Sequence, residues 1–387
     1  MISTIAIANY RTLIQLVMPM SSLNVVIGLN GSGKSNLYKS LRLLAETAQG
    51  GVVNALAHEG GLESAFWAGP ENISRRMLSG EVEVQGGLRK KAYRLRLGFS
   101  SEDIGYSIDL GLPIPSNSFF SLDPEIKKEC IWAGPVYRPA SALVERKGAV
   151  VKTREGRGWK VIAANLNTFD SMLSEVADAQ AAPEIFQIRE IIRSWRFYDH
   201  FRTDAGAPAR QPHLGTRTPV LSQDGHDLAS ALRTIIEIGD DEALRETIED
   251  AFPGASISID VQGDGRFVLQ FRQHGLLRPL TAAELSDGTL RYLLWVAALL
   301  TPRPPKLMVL NEPETSLHPD LLPALGRLIQ KASKNSQVWV VSHARLLINE
   351  LTESSDCNLV NLKKELGQTV IEDQDLIDTP AWGWPSA

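Results

Sequence analysis

Cysteine is almost missing from this chain of 387 residues: only Cys130 and Cys357 occur, far apart and without metal-site spacing. That excludes a disulfide framework and a thiolate zinc site, and a cytoplasmic, reducing location is expected. Long apolar runs are missing too. The longest, Tyr292 to Leu300, falls far short of the roughly 20 residues that cross a bilayer, so no membrane is expected as a partner. Arg11 and Gln15 interrupt the apolar N-terminal stretch, and no signal-peptide pattern emerges. A basic excess is also absent. Lys and Arg number 40 against 45 Asp and Glu, a formal net charge of −5, which excludes a generally basic nucleic-acid coat but not a local basic patch. There are no repeats, and no heptad run is long enough for a coiled-coil arm. What remains, 43% hydrophobic and 22% charged residues, is an ordinary globular composition, long enough for one large domain with insertions or for two domains.

The most informative stretch is Gly28 to Asn36, GLNGSGKSN. It holds G-x-x-x-x-G-K-[ST] as Gly28, Gly33, Lys34 and Ser35. Before it runs Leu23-Asn24-Val25-Val26-Ile27, an apolar strand; after it, Leu37, Leu41, Leu44 and Ala48 recur at helical spacing. A glycine-rich turn between strand and helix leaves backbone N–H groups free to wrap phosphates at a helix N-terminus. Lys34 is expected to neutralise the β- and γ-phosphates of ATP and the Ser35 hydroxyl to bind Mg²⁺.

Along the chain, residues 1–115 read as an N-terminal lobe: a strand at 2–7, the phosphate loop and its helix, then β-rich runs at 81–85, 92–99 and 104–110 closed by Leu112-Pro113-Ile114-Pro115. Residues 116–225 read as an inserted, basic, helical segment, with a strand at 131–137, helices at 170–179 and 183–197, and a loop at 206–219. Residues 226–304 form a helical lobe with an acidic helix at 240–251 and a hairpin, 256–261 and 267–272, turning at Gly263-Asp264-Gly265. Residues 305–387 form a C-terminal lobe, whose last acids include Glu372 and Asp373.

Three further motifs follow in order. Leu285-Ser286-Asp287-Gly288-Thr289 precedes the apolar helix 290–300 and by itself also reads as a helix N-cap. The strand Lys306 to Leu310 ends in Asn311-Glu312-Pro313-Glu314, placing carboxylates where parallel sheets bind ligands. Val338 to Val341 ends in Ser342-His343, and a lone histidine there also fits a structural role.

Phosphate loop, LSxG, strand with acidic end and strand with histidine, in that order, resemble the ABC-type ATPase heads of the RecF/SMC-like branch, and more narrowly compact bacterial predicted AAA-family ATPases. The resemblance implies an α/β P-loop NTPase with a mainly parallel core sheet, an antiparallel N-terminal sheet and a helical signature lobe. It implies that Gly28, Asn30, Gly31, Ser32, Gly33, Lys34, Ser35 and Asn36 form the Walker A loop. Ser286 and Gly288 become the signature that caps the γ-phosphate of an opposite subunit. Glu312 becomes the carboxylate orienting the attacking water, and His343 the switch histidine. Thr315-Ser316-Leu317-His318 falls in the loop that crosses the dimer interface, where Glu314 is also expected, and Arg11 is a weaker candidate for adenine or ribose. No glutamine stands out as the Q-loop residue. Asn311 occupies the Walker B position that is normally Asp; it keeps a carbonyl acceptor for the hydrated metal but loses the charge.

Residues 138–160 carry Arg138, Arg146, Lys147, Lys152, Arg154, Arg157 and Lys160 around Trp159, against Glu145 and Glu155. A basic face with an aromatic suits a nucleic-acid backbone, and equally a solvated surface. Two functions are therefore expected: an ATP-dependent homodimer that hydrolyses ATP slowly while acting on DNA, in repair or defence against mobile elements, or an ATPase regulatory subunit that signals its nucleotide state to an effector protein.

Overall fold

The protein is described from a computed structural model covering residues 1–70, 74–78, 81–83, 94–114, 119–120, 122–372, 374 and 379–385. In chain order the first elements are β1 (Ile2–Tyr10), β2 (Leu13–Pro19), β3 (Leu23–Gly28), α1 (Lys34–Glu46), α2 (Val52–His58), α3 (Leu62–Ala65) and α4 (Arg75–Leu78). Then come β4 (Leu95–Ser101), β5 (Ile104–Gly111), β6 (Glu125–Ala133), β7 (Ala142–Lys147), β8 (Val150–Glu155), β9 (Gly158–Ala163), α5 (Met172–Glu175) and α6 (Pro183–Arg193). They are followed by β10 (Arg196–Tyr198), β11 (His213–Leu214), α7 (Leu228–Ile238), α8 (Asp241–Ala251), β12 (Ser256–Val261), β13 (Arg266–Arg272) and β14 (Leu280–Thr281). Last are α9 (Asp287–Leu299), β15 (Leu307–Asn311), α10 (Leu322–Ser333), β16 (Gln337–Val341), α11 (Arg345–Thr352), β17 (Cys357–Glu365) and β18 (Gln368–Ile371).

Two compact units result, one made of Met1–Ser21, Ile27–Trp195 and Val360–Ala387, the other of Ser22–Val26 and Arg196–Leu359. The division cuts across the four successive segments expected from sequence. The first unit is built on an antiparallel sheet in the order β2-β1-β4-β5-β6-β7-β8-β9. Its middle strands are covered on both faces: every residue of β5 is buried, with the large apolar Ile104, Tyr106, Ile108 and Leu110 alternating with the small or polar Gly105, Ser107, Asp109 and Gly111. Toward the β9 edge one face opens, and the two-residue period shows in burial. In β7, Ala142, Val144 and Arg146 point inward; in β8, Val151 and Thr153 do, while Lys152 is turned out. Residues 125–163 are thus four strands of this sheet, where a helical segment was expected. The expected helix at 170–179 shrinks to α5, and the strand expected at 131–137 belongs to the end of β6.

Arg146 also corrects its own expectation. Its inward register position buries it completely, 0% exposed like its ion-pair partner Glu129 at 2.8 Å. Its remaining donors reach the carbonyls of Gly148 (2.9 Å), Asn167 (2.6 Å) and Asp170. Glu129 in turn accepts from the Tyr106 hydroxyl, Ser171 and the Met172 amide. The guanidinium closes the sheet onto the 167–172 turn and faces no solvent.

The second unit holds a parallel array in the order β10-β15-β16-β3. β10 explains why the helix expected to reach residue 197 stops at Arg193: Arg196–Tyr198 pairs in parallel with Met308–Leu310. The register sets Asn311 beside Val341, so β15 and β16 end level, and Val341 beside Val26 of β3. α9 is buried from Leu290 through Leu299, in line with its apolar sequence all round. β11, β13 and β12 form a small antiparallel sheet joined by β14. Of the strand expected at 81–85, residues 84–85 lie outside the described residues and 81–83 form none; 92–93, Pro115 and Asp373 are also outside them. Among the described residues, no helix is long and apolar enough to cross a membrane.

Candidate functional site

In the first unit, the end of β3 runs through the loop into α1. Gly28, Gly31 and Gly33 all take positive φ, +147°, +80° and +109°. The need for glycine is greatest at Gly33, where an added Cβ would lie 2.0 Å from the Thr369 Oγ1. Gly33 caps α1 without a side-chain hydrogen bond, and no acid occupies the first turn. The helix N–H groups are therefore left for an anion, which the helix dipole favours. The Lys34 ammonium folds onto the loop, donating to the carbonyls of Gly28 (2.5 Å) and Leu29 (3.1 Å). The Ser32 hydroxyl is buried without a partner among the described residues. An unsatisfied hydroxyl, an uncapped helix and a lysine bent inward fit a polyphosphate, which supplies the acceptors they lack. Asn30 and Ser35 are exposed; the Ser35 hydroxyl is a hard oxygen donor of the kind that suits Mg²⁺, and so, in the second unit, is the Asn311 amide oxygen.

The loop is braced from far along the chain. The Thr369 hydroxyl, on β18, donates to the Ser32 carbonyl at 2.8 Å and lies 2.7 Å from the Thr12 hydroxyl, while the Thr369 amide donates to the Thr12 carbonyl. Asn36, expected at the nucleotide, instead donates its amide to Thr12 at 2.8 Å. Arg11 likewise serves the scaffold: it pairs with Glu59 at 3.0 Å, which also accepts from the Tyr10 hydroxyl at 2.5 Å. Nothing in the sequence marked Thr12 or Thr369.

In the second unit, β15 ends in a strained turn. Glu312 has φ +49° and Ser316 φ +62°, left-handed values that cost non-glycine residues free energy and cluster where geometry serves function. The Glu312 amide donates to the Val341 carbonyl at 2.8 Å, and its carboxylate Oε1 stands 3.3 Å from His343 Nε2. Both side chains are nearly half exposed. Glu314, expected at a subunit interface, is instead turned inward: its Oε1 accepts from Ser342 Oγ and from the amides of His343 and Ala344. Those N–H groups precede α11, which has no side-chain cap of its own, and this is the physical reason for the correction.

The signature helix is fastened to the same turn. Trp295 Nε1 donates to the Pro313 carbonyl at 3.0 Å, and Arg291 Nη1 to the Thr315 carbonyl at 2.9 Å. Arg291 also reaches the Phe201 carbonyl and the ring of His200. Burial, and then Arg291 beside it, hold His200 below the usual imidazole range, leaving a neutral ring that can accept. Ser286 caps α9, its Oγ accepting from the Thr289 amide at 3.1 Å, so the N-cap reading of this motif holds. It is nevertheless exposed, as is Asp287. Arg210 pins the approach to the motif, donating to the carbonyls of Ala282 and Leu285 and pairing with Asp287 at 2.7 Å. A single arginine within the apolar run of α9, with Trp295 one turn on, was a signal that sequence reading passed over.

These four motifs all lie within the residues, 23–349, that match the family described as "AAA domain, putative AbiEii toxin, Type IV TA system". The chain belongs to this family. This AAA protein has a P-loop α/β fold shared with a solved SMC head. A crystal structure of an SMC head bound to the C-winged helix domain of ScpA is 13% identical to it, covers 97% of this chain and 98% of its own, and has a TM-score of 0.51. The SMC head domain from Thermotoga maritima (12% identity, 97% and 99% coverage) has a TM-score of 0.45. An SMC head with an extended coiled coil, bound to the C-terminal domain of ScpA from Pyrococcus furiosus (12%, 96% and 95%), has one of 0.47. No curated protein matches the sequence.

Proposed function

We propose that this AAA protein binds ATP with Mg²⁺, hydrolyses it slowly, and closes into a homodimer while ATP is bound. The observation that carries this reading is the pair Glu312 and His343, 3.3 Å apart at the carboxyl ends of adjacent parallel strands, on a turn held at positive φ. In this reading Lys34 and the N-terminus of α1 neutralise the phosphates, while Mg²⁺ supplies charge stabilisation for phosphoryl transfer. Glu312 orients the attacking water and His343 senses the γ-phosphate. Ser286 and Gly288 meet the γ-phosphate of a second copy, a role favoured by the exposure of Ser286. Phosphate release and light scattering in ATP and in ADP test it; absence of both turnover and dimer in Mg-ATP would overturn it.

Asn311 sets the expected pace. A Walker B aspartate adds a negative charge about one water away from the metal, whereas an amide offers a neutral hydrogen bond of roughly half the strength. The difference is on the order of 1–2 kcal/mol, roughly a ten- to thirtyfold effect on Mg²⁺ requirement or rate. Asn311→Asp is therefore expected to lower the Mg²⁺ needed for half-maximal turnover, or to raise the rate, several-fold. An unchanged or slower rate at every Mg²⁺ concentration would mean the site is built around the amide.

The second reading, action on DNA, is favoured by the β8–β9 edge. Lys152, Arg157 and Lys160 are exposed there, as is Lys147 at the end of β7, and Arg154 lies 5.2 Å from the ring of Trp159, its cross-strand neighbour. Glu145 opposite Lys152 and Glu155 near Lys160 offset part of that charge. Reversing Lys152, Arg154 and Arg157 is expected to weaken DNA binding and flatten its salt slope by about one unit per lost contact. If no DNA is bound at low salt in any nucleotide state, the regulatory-subunit reading with an effector protein replaces this one.

A further inference from the structure

We propose that Glu314 is a positioning residue for turnover: it acts through the 342–344 turn to hold His343 against Glu312. The inference deepens the ATPase reading and rests on the roles given there to Glu312 and His343.

One carboxylate oxygen, Glu314 Oε1, accepts three hydrogen bonds: Ser342 Oγ at 2.7 Å, the His343 amide at 2.9 Å and the Ala344 amide at 3.2 Å. The Ser342 hydroxyl accepts from the Ala344 amide in turn, at 3.1 Å. The 342–344 turn has left β16, and its N–H groups have passed the last strand partner, the bond from the Ser342 amide to the Val26 carbonyl. It precedes the first turn of α11, where no side chain of the helix caps. An anion at that place satisfies orphan donors and lies favourably to the helix dipole. The bonds are charge-assisted and therefore among the stronger ones available to a turn.

Glu314 is also two residues from Glu312, in the same left-handed turn. A single carboxylate thus ties the backbone of the base to the backbone of the histidine. Its other oxygen, Oε2, is buried without a partner among the described residues, so the tie rests on Oε1 alone. The separation of His343 Nε2 and Glu312 Oε1, 3.3 Å, is fixed by this tie on one side and by the Glu312 amide bond to Val341 on the other. A shift of about 1 Å in such a pair is enough to cost roughly a hundredfold in rate.

The experiment compares Glu314→Ala, Glu314→Gln, His343→Ala and the double variant His343→Ala with Glu314→Ala, by ATP affinity, kcat and KM. Glu314→Ala is expected to lower kcat by roughly ten- to a hundredfold with ATP affinity nearly unchanged. Glu314→Gln, whose amide oxygen accepts the same bonds, should restore most of the rate. In the His343→Ala background, removing Glu314 should cost nothing more. Additive losses, or a wild-type kcat in Glu314→Ala, would overturn the proposal. The imidazole resonances of His343, assigned by comparison with His343→Ala, give a readout without turnover: Glu314→Ala should move them towards those of a free histidine. Unmoved resonances would sink the positioning role even if the rate fell. A wild-type protein that does not hydrolyse ATP would sink the ATPase reading instead, while these resonances would still report on the tie. Should Glu314→Ala not fold, Glu314→Asp, one methylene too short to reach all three donors, takes its place with the same expected outcomes.

Discussion

Glu312→Gln should bind ATP, hydrolyse it at least about a hundredfold more slowly than the natural protein, and accumulate as a dimer. The change keeps the shape of the side chain and demands the same left-handed backbone at φ +49°, so the turn is expected to survive it. What is lost is the negative charge that orients water and faces His343 across 3.3 Å. Phosphate binding is left to Lys34 and the uncapped N-terminus of α1, which the change does not touch. Binding without turnover leaves the ATP-bound state with no exit except dissociation. Light scattering at saturating Mg-ATP should find the dimer, and single-turnover assays the slowed step. A monomer under those conditions would sink the proposal that ATP joins two copies.

Arg146→Met should cost about 3–5 kcal/mol of folding stability, because it strands Glu129, fully buried, without its charge partner. Against a typical net stability of roughly 5–15 kcal/mol, that is a large fraction. Three carbonyls, of Gly148, Asn167 and Asp170, lose a donor at the same time. Urea denaturation of the variant beside Glu129→Leu and the pair together should show strong coupling: the double change is milder than the sum, since no charge remains buried alone. Equal and additive losses would show that the two groups act independently. Loss of DNA binding in this variant would follow from unfolding, whereas changes at Lys152 or Arg154 should act with stability intact.

The local setting of the candidate site was legible because each of its motifs is a short contiguous stretch beside a regular element. Gly28, Gly33, Lys34 and Ser35 span the junction of a strand and a helix whose apolar spacing is plain, and Glu312 and His343 each follow an apolar strand. Residues 125–163 were read poorly because β6, with Lys127 and Lys128 side by side and Cys130 to Trp132 buried in succession, breaks the alternation, and because the charges that follow were counted without their faces. The misreading of Arg146 was avoidable. Ala142, Val144 and Arg146 keep a strict two-residue period, which aims the guanidinium at the core, but counting charges along a segment ignores which face each one occupies. Thr369, Arg210 and the inward turn of Glu314 could not have been found, since most of their partners are backbone groups that carry no side-chain signature.

The bond from Thr369 to the Ser32 carbonyl spans 337 positions of the chain. At the ordinary pace of translation, about 5–20 residues per second, roughly 20 to 70 seconds separate the synthesis of the phosphate loop from that of the threonine that braces it. The nascent chain therefore carries a nucleotide motif that is complete in residues and unfinished in structure. Its final form waits until residue 369 has been made, so a motif encoded 337 positions earlier matures only with it.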